Sequence, residues 1–169
     1  HATATRETPN IDLHQGLQAL FYTTAELQFS KPLPTLLKAI LRGLKTGAGL
    51  HHAIIFTLEE GLDRLQAQAA LGVSDKKLET LSLAVRPEEE RELLQLDLFS
   101  PLSPISSAQE RLVGCVEENL GWKNVSLVPL EIRDRLVGTL AFESADVPDE
   151  MREIIVLFAR QAAFVIENA

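Results

Sequence analysis

The chain has 169 residues, 46% of them apolar and 24% charged, with a formal net charge of −8. A single domain of that size can bury a real core without staples, and the one cysteine, Cys115, rules out an internal disulfide framework and fits a reducing, cytoplasmic setting. The acidic balance argues against a nucleic-acid surface, where basic residues must neutralise phosphates, and the most apolar run, 154–166, is interrupted by Arg160 and Gln161 and is too short to span a bilayer.

Residues 1–9 read as a remnant or an interdomain linker, and residues 1–30 together as a linker and a helix ahead of one domain at 31–169. Within 11–30, Leu13, Leu17, Leu20, Thr24 and Leu27 recur at 4-3-4-3 spacing with Phe21 alongside. The pattern describes either a short coiled-coil seam or a helix packed on its own domain. Pro32 and Pro34 then break the chain, and Leu36, Leu37, Ile40, Leu41 and Leu44 mark a second helix that ends at Gly47 or Gly49. Those glycines close a helix and precede a strand, the reverse of a phosphate loop.

Strands follow at 53–58 and 64–70, joined by a turn containing Gly61, with Leu65, Ala67 and Ala69 alternating against Gln66 and Gln68. A short capped helix is expected at 74–81 and a short strand at 81–85. A helix then opens at Arg86 with Glu88, Glu89, Glu90 and Glu92, which read as solvated charge at the positive helix end rather than as a metal site. The Pro/Ser loop 97–107 carries Leu98, Phe99, Leu102 and Ile105, too apolar to stand in water; it either lids a pocket or plugs a sheet face. A helix at 108–120 turns Leu112, Val113, Cys115 and Val116 inward and closes at Gly121.

The last stretch, 124–169, reads as two strands around a turn at Arg133-Asp134, then a long helix from about 148, with Asp146 as a cap. A two-residue turn places 130 opposite 137, 128 opposite 139 and 126 opposite 141. One face then carries Val125, Leu127, Leu140 and Phe142, and the other Ser126, Val128, Leu130, Val137, Thr139 and Ala141. The closing helix is apolar nearly all round, with Glu153, Arg160 and Glu167 in one narrow polar stripe. Its Met151, Ile155, Phe158, Ala162 and Val165 repeat the 4-3-4-3 step, so a four-helix bundle of first and last helices from two subunits is expected. No stop signal ends it, and the chain reads as a piece of a longer polypeptide.

Gly121-Trp-Lys-Asn-Val-Ser-Leu-Val-Pro-Leu130, then Arg135-Leu-Val-Gly-Thr-Leu-Ala-Phe142, then Val165-Ile-Glu-Asn-Ala169 resemble in order and spacing the C-terminal half of the GAF domain, a small-molecule sensing module of bacterial signalling proteins. The resemblance implies an α+β fold, with an antiparallel sheet of five or six strands, terminal helices on one face and a lidded pocket on the other. It further implies a homodimer, an output domain in the same polypeptide and an unidentified small-molecule ligand, with no catalysis and no bound cofactor. The cyclic-nucleotide signature of some members, the Cys-His pair of bilin-binding members and the several cysteines of methionine sulfoxide reducing members are missing. The alternative is a ligand-free dimerisation and transmission module. The expected ligand site comprises Ser126, Thr139 and Ala141 on the sheet, Phe99 and Ile105 on the lid, and Leu112 and Cys115 on the covering helix. The expected dimer interface comprises Leu13, Leu17, Leu20, Ile155, Phe158 and Ala162. No hydrolase, zinc or phosphate-loop motif occurs, adjacent His51 and His52 would point to opposite sheet faces, and Cys115 has an apolar neighbourhood that keeps it protonated.

Overall fold

The computed structural model describes residues 13–26, 31–59, 61–94, 106–144 and 147–169. Among the described residues six α-helices and five strands follow one another as α1 (Leu13–Glu26), α2 (Leu33–Ala48), β1 (Ala53–Glu59), β2 (Arg64–Leu71), α3 (Asp75–Leu78), β3 (Ser82–Ala84), α4 (Pro87–Leu94), α5 (Ser107–Leu120), β4 (Val125–Ile132), β5 (Arg135–Glu143) and α6 (Arg152–Glu167). Leu27, the loop 97–105 and Asp146 lie outside the described residues.

Local chemistry sets the boundaries. Pro34 sits in the first turn of α2, where its missing N–H costs nothing, and Gly49 ends that helix at φ 77° while its N–H donates to the Lys45 carbonyl. Ser106 caps α5 by accepting from the Gln109 N–H, and the Gln109 side chain accepts from the Ser106 N–H in return. Arg133 and Asp134 both take positive φ, 51° and 62°, which is the two-residue hairpin geometry whose twist suits antiparallel strands.

The strands form one antiparallel sheet in the order β3-β2-β1-β5-β4, and each face carries its own core. On one side α1, α2 and α6 cover Ala53, Ile55, Ala69, Val128, Leu130, Val137, Leu140 and Phe142 with Leu37, Ile40, Leu44, Ile154, Ile155 and Phe158. On the other, α3, α4 and α5 cover Ile54, Phe56, Leu65, Ala67, Leu127, Leu136 and Ala141 with Leu78, Leu93, Leu112 and Val116. The expected α+β architecture with two differently clad faces is therefore present.

The β4–β5 register departs from the expected one. Ile132 pairs with Arg135 as anticipated, but a bulge beyond Glu131 and Leu136 shifts the rest, so Leu130 faces Gly138, Val128 faces Leu140 and Ser126 faces Phe142. An extra residue in one strand keeps both cores filled: Leu136 goes to the α5 side and Val137, its neighbour, to the α6 side. On β5, Leu140 and Phe142 meet the end helices and Ala141 turns the other way, as expected. On β4 the two sets are exchanged, with Val128 and Leu130 towards α6 and Leu127 towards α5. A second bulge, between Ile55 and Phe56 on β1 opposite β2, breaks the expected alternation there: Leu65 and Ala67 face the α5 side and Ala69 the α2 side.

The helical layer is held by small residues. Gly16 and Ala19 of α1 lie against Gly47 of α2, while Thr23 and the Phe158 ring close over Gly43, leaving no room there for a side chain. The inward face of α1 is thus Gly16, Ala19 and Thr23, not the leucine seam. Gly16 approaches Ile154, and the Gln161 side chain donates to the Thr24 hydroxyl, so α1 and α6 run in the same direction.

Candidate functional site

The candidate site is the face of β1 and β5 beneath α5. Thr139 stands in its middle, paired with Phe56 of β1 on one side and Pro129 of β4 on the other, and it is 0% exposed. Its alternation with Ala141 and its pairing with Phe56 aim it at the α5 side. Its Oγ1 is buried and has no hydrogen-bond partner among the described residues. A buried hydroxyl without a partner costs about 1–3 kcal/mol, and such atoms are rare enough in folded proteins to call for a reason. The core on that side holds Ile54, Phe56, Leu112, Val116, Leu127, Leu136 and Ala141, all buried, so that Thr139 sets a hydroxyl on an apolar wall.

Two polar clasps frame this face. At the α4 end, Glu89 is 2% exposed, although it was expected among the solvated acids. Its Oε1 accepts from the Arg86 N–H at 2.9 Å and its Oε2 from Arg111 Nη1 at 2.5 Å, and Arg111 also donates to the Ala84 carbonyl. The Arg86 backbone N–H, followed by the Arg111 side chain, holds the Glu89 carboxyl below its ordinary value despite burial. Glu92 Oε1 accepts from the Ala108 N–H and the Glu92 carbonyl accepts from Gln109 Nε2, which ties α4 directly to the start of α5. Among the described residues no three metal-ligating side chains converge.

At the opposite end of the sheet, His52 Nδ1 lies 2.7 Å from Glu143 Oε1, Glu143 Oε2 accepts from the Lys123 N–H, and the His52 ring packs 5.2 Å from Trp122. Trp122 is buried in the same core as Leu112. This clasp was not anticipated, because His52 and Glu143 are 91 residues apart in the chain. The signal that could have found it is the apposition of the start of β1 to the end of β5.

Of the expected ligand residues, Thr139, Ala141 and Leu112 come together on this face. Cys115 is half-buried at its edge, with Sγ 4.0 Å from the Ser82 carbonyl, and burial raises its thiol pKa. Ser126 does not join them: the bulge turns it to the side of Phe142 and the end helices. Phe99 and Ile105 lie outside the described residues.

The expected dimer residues divide in two. Ile155, Phe158 and Ala162 are at most 1% exposed, covered within the chain by α1, α2 and the sheet, and they present nothing to a second subunit. Their spacing records an intrachain core. Leu13 and Leu17 are about half exposed, Leu20 is half-buried, and Phe21 and Phe164 are well exposed. Leu13, Leu17 and Phe21 fall four residues apart on one side of α1, and Leu157 and Phe164 share a side of α6 with Gln161, which reaches α1.

The profile of the GAF domain family matches residues 33–168. Among solved structures, the GAF domain of a phosphoenolpyruvate-protein phosphotransferase from Coxiella burnetii superposes with a TM-score of 0.70 at 19% identity, over 94% of this chain and 96% of that one. Residues 122 to 287 of a methyl-accepting chemotaxis protein give 0.64 at 20%, over 86% and 95%. The chromophore-binding domain of the Stigmatella aurantiaca bacteriophytochrome gives 0.65 at 15%, over 95% of this chain and 62% of that one. No curated protein sequence matches the chain.

Proposed function

Given that the chain belongs to the GAF domain family, we propose that it is a non-catalytic sensory module of a cytoplasmic signalling protein. It binds a small molecule under α5 and relays its presence through the terminal helices of a homodimer to an output domain in the same polypeptide. The observation that carries the reading is the Thr139 hydroxyl, buried, without a partner among the described residues and aimed at the covered face.

The chemistry of that face selects the ligand class. The core on that side is built of hydrophobic side chains, and the one buried carboxylate among the described residues, Glu89, is already occupied by Arg86 and Arg111. A charged ligand would lose its hydration with no partner in return, whereas an uncharged, mainly apolar molecule with one hydrogen-bonding group would satisfy Thr139. A ligand shifts the signalling state only by its difference in affinity for two arrangements of the helices.

A second reading, a transmission module that binds nothing, is favoured by the filling of the same face with Phe56, Leu93, Leu112 and Trp122. A melting-temperature screen separates the two, using uncharged amphiphiles such as indole, benzyl alcohol and medium-chain lactones beside carboxylates of matched size. Sensing predicts that uncharged members raise the melting temperature of the wild type and that Thr139→Val removes the response. A wild type indifferent to all of them would leave the transmission reading in possession.

A further inference from the structure

We propose that β5 is a lever between the covered face and the exit of α6, with the Arg135–Glu167 ion pair as the joint at its end. The inference rests on reading the covered face as the input site. Thr139 and Arg135 are four residues apart on one strand, about 13 Å at the usual strand rise, and no loop separates them. Between them lies the bulge, and there the Phe56 carbonyl of β1 comes so close to Gly138 that a Cβ could not be fitted. β5 is paired with β1 from Phe142 back to Gly138, so Gly138, immediately beside Thr139, is where the hairpin tip parts from β1 and stays paired with β4 alone.

Beyond Gly138, the tip of the hairpin meets the last turn of α6. Arg135 Nη2 donates to both carboxylate oxygens of Glu167, at 2.6 and 2.7 Å. Glu167 is the final residue of α6, where the negative helix end disfavours a carboxylate, and the Arg135 charge offsets that. Next to each partner, Ile132 and Ile166 pack against the same core. A ligand that drew Thr139 towards α5 would tilt the hairpin tip, 135–137 with its β4 partners, about the last β1 pairing at Gly138 and move Arg135 relative to the helix end. The competing route runs through the core, from Leu140 and Phe142 to Ile155 and Phe158. It does not use Arg135.

Amide hydrogen exchange at residues 165–168, measured by NMR without ligand, tests the lever in the wild type, Thr139→Val, Arg135→Gln and the double variant. Arg135→Gln and Glu167→Gln should each speed exchange there about two- to fivefold, the scale of an exposed ion pair, and leave the last turn of α2 unchanged. The charge-exchanged pair Arg135→Glu with Glu167→Arg should restore protection. Thr139→Val should change the same amides at least about twofold in the wild-type background and not in Arg135→Gln, as coupled sites require. An equal effect of Thr139→Val in both backgrounds would assign coupling to the core route and overturn the lever, as would no effect in either; Thr139→Ser provides a second perturbation should the valine variant not fold. Because no ligand is used, failure of the melting screen would remove the sensing reading and leave this result standing.

Discussion

Two glycine-to-alanine substitutions should move stability in opposite directions. At Gly114, inside α5, an added Cβ meets nothing within 4 Å. Alanine there gains the helix-propensity difference of about 0.8–1.0 kcal/mol, largely by restricting the unfolded chain. At Gly43, inside α2, the same Cβ would fall on the Thr23 hydroxyl and within 2.5 Å of Phe158 Cε1, about an ångström inside ordinary contact. Neither neighbour can yield easily: Thr23 is 3% exposed and the Phe158 ring is fully buried. Overpacking of this kind costs about 1–3 kcal/mol, which exceeds the propensity gain and leaves Gly43→Ala less stable by up to about 2 kcal/mol. Urea titration with an unchanged slope should show the midpoint rising for Gly114→Ala and falling for Gly43→Ala, and the melting temperatures should separate by about 2–4 °C per kcal/mol. If Gly43→Ala were stabilising to the same degree as Gly114→Ala, the close contact of α1, α2 and Phe158 would be refuted.

Three further outcomes are expected. Because the Glu89 pKa is lowered on folding, the unfolded chain binds the extra proton first as pH falls; this contribution is fully present above the ordinary value of 4.5 and is lost as pH drops through the folded value. Arg111→Gln should shrink that acid-dependent loss, read from urea midpoints between pH 3 and 6, and should lower stability at neutral pH by roughly 2–3 kcal/mol because it removes a partner of a buried carboxylate. Cys115, whose thiol pKa is raised by burial, should react with iodoacetamide more slowly than a free thiol at pH 8 and reach the free rate on unfolding. Sedimentation should find a dimer whose association is lost in Leu17→Asp with Phe164→Asp, while Gln18→Asp, on the opposite flank of α1, leaves it intact; a monomeric wild type would defeat the homodimer proposal.

The sheet was largely legible because its strands alternate and its turns carry glycine or a tight polar pair. What escaped was set by single residues. Gly138, isolated within an apolar strand, was the available sign of a bulge, and missing it exchanged the two faces of β4 and sent Ser126 to the wrong side. The 4-3-4-3 spacing of Ile155, Phe158 and Ala162 does not distinguish a seam between subunits from a core within one, since both ask for the same stripe. On α1 the expectation set the leucines at a seam between subunits and named no residues for the side that packs on its own domain. The structure instead buries Gly16, Ala19 and Thr23, because small side chains let two helices approach until their backbones nearly touch. Glu89 was misread with its neighbours, since one acid among four gives no local hint that two arginines, one of them 22 residues away, will enclose it.

The shared direction of α1 and α6 fixes how this module can be wired. Helices of 14 and 16 residues are about 21 and 24 Å long, so the start of α1 and the finish of α6 stand at opposite poles of the helical layer. Segments attached to the two would be strung in tandem along one axis, and an axial shift or a twist of the layer would be delivered from one to the next as a rod delivers torque.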